Sequence, residues 1–164
     1  MENETYQFTP SGFLRIITII HFALIFGVVA FGGILYLLSY NPTLNWNESG
    51  EVFFYAVPIL AVVCVLFGNI LYKSRLDKLK EVSNLRDKLM EFQTASIIKY
   101  ALLEGATLFS LVAFLQMNNL LYLLIAGVLV VYNLFQRPTK ERVINDLNLE
   151  GALKDQFNDS RNRL

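Results

Sequence analysis

Cysteine and histidine are nearly missing from this chain: Cys64 and His21 stand alone among 164 residues. A single cysteine closes no internal disulfide, and this one lies in an apolar run, where a thiol packs as a small hydrophobe. One of each residue, without the close spacing of zinc ligands, argues against a structural zinc site. Charge is scarce too, at 17% of residues, and it cancels, with 14 Lys and Arg against 14 Asp and Glu. A balance of zero gives no electrostatic footprint for nucleic acid or for an acidic substrate. No gathered His/Asp/Glu set and no nucleophile motif appears, so the expectation is a protein that is not an enzyme and carries no metal or cofactor.

What the chain has is apolar length. Hydrophobic residues make up 54% of it, and the mean hydropathy is +0.43. A helix needs ~20 apolar residues to cross ~30 Å of hydrocarbon. Four segments qualify, at about Phe13–Tyr40, Phe53–Tyr72, Ala95–Met117 and Leu120–Gln136. The expected fold is therefore an all-α integral membrane protein with four transmembrane helices. The leading "MENET" is acidic and no small-residue cleavage pattern follows, so no cleavable signal peptide is expected.

The Lys and Arg residues are placed unevenly, and that sets the expected orientation. The loop "NPTLNWNESGE" (Asn41–Glu51) and the turn "MNN" (Met117–Asn119) contain none. Six lie in "KSRLDKLKEVSNLRDK" (Lys73–Lys88), and another six follow Gln136. The N-terminal residues 1–12, the loop 73–94 and the tail 137–164 are thus expected in the cytoplasm, with residues 13–136 as the domain in the inner cell membrane. In the loop, Leu76, Leu79, Val82, Leu85, Leu89 and Phe92 recur every three or four residues. That spacing predicts an amphipathic helix between the second and third spans. It serves either as a connector that continues the second span and packs on the third, or as a surface that docks on the membrane or a partner. Beyond Pro138, Thr139 caps an expected short helix with Val143, Ile144 and Leu147 on its apolar side. The last residues, "NDSRNRL", read as disordered.

The first and third spans resemble one another. Laid without a gap, Ile19–Leu37 matches Ile97–Leu115 at seven of nineteen positions. Chance and true duplication both remain open. Duplication implies two tandem hairpins of one orientation, related by an axis along the membrane normal. The match pairs Ala23 and Gly27 with Ala101 and Gly105. Small residues at this spacing let helices approach closely in lipid, so the first and third helices are expected to cross there. Self-association through the same faces is the rival reading.

One carboxylate stands where the composition least favours it. In "SIIKYALLEGATLF" (Ser96–Phe109), Glu104 lies about 14 Å beyond Ala95 at ~1.5 Å per residue, near mid-membrane. A charge there costs about 2.5–3.5 kcal/mol on insertion scales, so neighbours must share or cancel it. His21, Asn69, Lys99 and Asn133 are the polar residues on the four spans at nearby depth, and they are expected to form one cluster with Glu104. Its role is open among three: fixing helix register, handling protons or ions, and contacting lipid or a small ligand.

The stretch "QTASIIKYALLEGATLFSLV" (Gln93–Val112) resembles the carboxylate-bearing helix of the c subunit, or proteolipid, of rotary ATP synthases. The resemblance covers about 20 of the 164 residues. It implies that Glu104 is the acid that binds the translocated ion or proton. It does not extend to the second span, "FFYAVPILAVVCVLFGNILY", which lacks that family's regularly spaced glycines. The expected function is a non-enzymatic subunit of a membrane assembly, in contact with the lipid bilayer and with further copies or other membrane subunits. The alternative is a proton- or ion-translocating element that uses Glu104.

Overall fold

The computed structural model describes residues 9–46, 51–79 and 82–159, and among these every regular element is a helix. The helices are α1 (Pro10–Leu38), α2 (Val52–Asp77), α3 (Leu85–Met117), α4 (Leu120–Phe135), α5 (Lys140–Asp146) and α6 (Gly151–Asn158). Three of them, α1, α2 and α3, are long and apolar enough to cross a membrane. α4 passes the same test only when taken together with α5, from which it is bent by 81° at a short break, so the candidate spans number three or four among the described residues. The four apolar segments expected from sequence are therefore present as helices.

Short polar residues fix where the helices begin. The Thr9 hydroxyl accepts from the Gly12 N–H at 3.1 Å, with Pro10 opening α1. Asn84 caps α3 through the Arg86 N–H at 2.9 Å, and Asn119 caps α4 through the Leu121 N–H at 3.0 Å. Thr139 caps α5, as its sequence predicts, accepting from the Arg142 N–H at 3.2 Å. Each cap satisfies a donor that a helix start leaves unpaired.

The central helix is α3, with α1, α2 and α4 all packed against it. Two consequences follow for the sequence expectations. First, α3 and α4 form a closely packed hairpin, whereas α1 and α2 do not pack along one another. The likeness between the first and third spans is not accompanied by matching hairpins. Second, among the described residues no separate amphipathic helix lies between the second and third spans. Leu76 belongs to the end of α2 and Leu85, Leu89 and Phe92 to the start of α3, while Leu79 and Val82 lie in the connection ahead of the Asn84 cap.

Those residues still share one core. Leu76, Leu79, Leu85, Leu89 and Phe92 bury themselves with Phe13 and Ile17 of α1, Val143 of α5 and Phe157 of α6. A helix as short as α5 or α6 does not hold in water by itself, so this cap over one end of the bundle is what keeps both folded. Between them, Asn148 and Gly151 take left-handed φ values of 49°, and at Gly151 the missing Cβ makes that turn inexpensive. The expectation of disorder at the C-terminus falls on residues 160–164, outside the described residues, while Asn158 closes α6. At the opposite end, the loop after α1 is tied to the α3–α4 turn. Thr43 donates to the Asn118 carbonyl and accepts from the Leu120 N–H, at 3.1 and 2.8 Å.

Candidate functional site

The helix faces decide which polar residues meet. On α3, Tyr100 and Leu111 turn toward α1: the Tyr100 ring lies 4.5 Å from that of His21, and Leu111 abuts Gly32. Glu104 is one turn beyond Tyr100 and two turns before Leu111, which sets it at the border of this face. It is partly buried, while its neighbours Ala101 and Gly105 are exposed. Among the described residues, no hydrogen bond or ion pair reaches its carboxylate.

The polar groups expected around Glu104 gather instead around Gln136, the residue that ends α4. Lys99 donates to Gln136 Oε1 at 2.9 Å, and Arg142 of α5 donates to the same oxygen. Tyr100 donates its hydroxyl proton to the Gln136 carbonyl at 3.1 Å. Lys99 also lies 4.8 Å over the Tyr72 ring, a contact that favours a cation over a π face. The Tyr72 hydroxyl in turn donates to Asp146 at 2.6 Å, and Arg142 Nε stands 3.5 Å from the same carboxylate oxygen. Lys99 is therefore held by a neutral oxygen and an aromatic ring, with no carboxylate bonded to it among the described residues.

The remaining expected members are placed separately. Asn69 donates to the Tyr132 hydroxyl at 2.8 Å, joining α2 to α4. His21 is fully buried, and neither ring nitrogen has a hydrogen-bond partner among the described residues. Asn133 is buried, with its side-chain oxygen unpaired. Gln136, Tyr72, Tyr100, Tyr132, Arg142 and Asp146 were not singled out from sequence. A signal existed for two of them, since Arg142 and Asp146 lie four apart on a predicted helix. The tyrosines read as apolar in a hydropathy count.

The crossing of α1 and α3 is not at Ala23, Gly27, Ala101 and Gly105, and this corrects the sequence expectation. All four residues are exposed, and a Cβ added at Gly27 or Gly105 would meet nothing within 4 Å. The close approaches use other glycines. A Cβ at Gly32 would come within 3.2 Å of Leu111, and one at Gly68 within 3.6 Å of Lys99. The physical reason is that α1 presents His21, Ile25, Val28 and Gly32 to the core, which turns Ala23 and Gly27 outward. Gly32→Leu should cost about 1–3 kcal/mol through overpacking. Gly27→Leu and Gly105→Leu should stay within about 0.5 kcal/mol in the monomer. Thermal unfolding of monomeric protein in detergent distinguishes them, and equal losses at all three glycines would contradict the observed crossing.

Among the described residues no three His, Cys, Asp or Glu side chains stand together as metal ligands. Compared with family models, with curated proteins and with solved structures, the chain matches none.

Proposed function

We propose that this chain is a non-enzymatic four-span protein of the inner cell membrane, with both termini in the cytoplasm. We read it as one subunit of a membrane assembly, built from further copies or from other membrane subunits. The uneven placing of Lys and Arg supports the orientation. The outward apolar faces support a lipid surround: Phe26, Leu37 and Val128 are 74%, 82% and 69% exposed, and soluble monomers rarely show broad apolar patches. The observation that carries the assembly is Glu104. It is a carboxylate without a hydrogen-bond or ion-pair partner among the described residues, set beside the open small residues Ala101 and Gly105. A second helix laid on that face would approach closely and bring donors to the carboxylate, which lipid cannot do.

The experiment is mass determination in mild detergent and in nanodiscs, with disulfide trapping from Gly105→Cys after Cys64 is replaced by Ala. Wild type should carry two or more copies, and the trap should form. Glu104→Leu should weaken association about threefold to thirtyfold, from an interhelical polar contact of ~0.6–2 kcal/mol. Monomeric wild type with no trapped dimer would rule out self-association through this face.

A second reading has its own support. Tyr100 bonds the Gln136 carbonyl and packs its ring on the buried His21, whose nitrogens have no hydrogen-bond partner among the described residues, and Glu104 lies one turn further along α3. A neutral imidazole offers one donor and one acceptor, so this row has the composition of a proton relay. Glu104→Gln separates the readings in liposomes. A proton flux lost in that variant, with the assembly mass unchanged, supports ion handling by Glu104. Absence of flux in the wild type removes that reading.

A further inference from the structure

The seam between α2 and α4 carries an open groove of about 500 Å³ with an entirely apolar wall, running from Trp46 past Val65 and Ile125 to Tyr132. Along α4 it extends from Leu121 to Tyr132, about 16 Å at ~1.5 Å per residue. That is close to one leaflet of a ~30 Å hydrocarbon core. The groove ends where the Asn69 amide meets the Tyr132 hydroxyl.

Beyond Asn69 the same seam opens again, into a hollow of about 380 Å³ of different character. Lys73, Lys99 and Arg142 line it, together with Asp77 and Asp146. The cations outnumber the carboxylates, and Asp146 is already engaged by Tyr72 and Arg142. Lys99 and Arg142 are held side by side because both donate to one oxygen of Gln136. Two like charges fixed this closely repel, and an anion placed across them relieves the repulsion while accepting hydrogen bonds from their remaining N–H groups.

The geometry points to a binding site for one glycerophospholipid with an anionic headgroup, its acyl chain in the α2–α4 groove and its phosphate against Lys99 and Arg142. Each half of the site selects for the other half of such a molecule. Free phosphate gains nothing from the groove, and an uncharged amphiphile gains nothing from the paired cations. A zwitterionic lipid brings its own cation into a hollow that already has an excess of them. The site rests on the membrane-spanning reading given above, and it does not require assembly through Glu104.

Native mass spectrometry of the detergent-purified protein tests it, with phosphatidylglycerol and phosphatidylcholine of matched chains as probes. Thermal unfolding with inorganic phosphate forms a separate arm. Phosphatidylglycerol should bind in preference to phosphatidylcholine. Lys73→Gln and Arg142→Gln should each cut that preference about fivefold, from the usual strength of one basic residue at an anionic surface. Lys73 is exposed, so its variant keeps the test valid if Arg142→Gln unfolds α5. Val128→Trp, in the groove wall, should weaken both lipids alike and leave their ratio unchanged. Equal binding of the two lipids by wild type overturns the site, as does a phosphate-induced thermal shift as large as that from phosphatidylglycerol. A chain that fractionates away from membranes refutes the spanning reading itself, whereas a membrane-integrated chain without headgroup preference refutes only this site.

Discussion

Phe92→Ala should destabilise the chain in detergent by about 3–5 kcal/mol, the usual cost of emptying a buried aromatic position. Phe92 is 1% exposed and lies at the centre of the cap over the bundle. Its ring meets Phe13 of α1 edge-on at 6.2 Å and Tyr72 of α2 at 6.0 Å. Truncation therefore removes contacts to two helices as well as its own burial, and such aromatic pairs add about 0.5–1.5 kcal/mol each beyond area. Against a total stability of ~5–15 kcal/mol, that is a large share. The loss should concentrate where the chain has least else to hold it, in α5 and α6. Hydrogen exchange should therefore accelerate across residues 140–158 while the centre of α3 stays protected. Tyr72 also carries Lys99 over its ring and bonds Asp146, so the Gln136 cluster should loosen with it. Met90→Ala is the matched control, because Met90 is 50% exposed on the same helix and should cost within about 0.5 kcal/mol. Equal exchange rates in the two variants would show that the cap is not held by Phe92.

The apolar runs and the Thr139 cap were legible in the sequence because both are local. Hydropathy sets the length of a helix, and Thr139 marks the start of α5 whatever lies around it. The rotation of each helix was not legible. Where a helix is apolar all round, as α1 nearly is, the faces toward the core and away from it have similar composition, so the small residues at Ala23 and Gly27 look the same as Gly32. Only the packing tells them apart: Gly32 meets Leu111, and Gly27 meets nothing. The polar cluster was half legible for a related reason. Lys99 stands out in an apolar run, but its acceptor, Gln136, lies 37 residues away at a helix end, where a glutamine is unremarkable. Glu104 stands out most in its apolar run, yet its position along α3 alone does not tell whether neighbours surround it. The amphipathic spacing after Lys73 marks one apolar stripe but not one helix, because periodicity continues through a turn when both flanking helices feed the same core.

Replacing Asn119 with alanine should cost about 2–3 kcal/mol, and the loss should be visible at the single tryptophan of the chain, Trp46. Asn119 is fully buried, and its amide makes three bonds. The oxygen caps α4 through the Leu121 N–H and accepts from the Asn45 N–H at 3.2 Å, while the nitrogen donates to the Asn45 carbonyl at 2.8 Å. A lost cap costs ~1 kcal/mol, and each buried bond is worth about 0.5–1.5 kcal/mol. Alanine removes the cap and leaves both Asn45 backbone groups without their partner, so the terms act in one direction. The backbone bridge between Thr43 and its partners Asn118 and Leu120 remains, and the loop should therefore loosen from Asn45 onward while staying attached. Trp46 follows directly and lines one end of the α2–α4 groove. Its emission should shift to the red, and quenching by a soluble quencher should rise, before global unfolding begins. Asn118→Gly provides the contrast. Asn118 has a φ of 50°, which glycine adopts freely, and its own side chain bonds the Tyr40 carbonyl instead. That variant should leave the Trp46 signal nearly unchanged, so a shift of the same size in both would mean that the turn, and not the Asn119 amide, holds the loop.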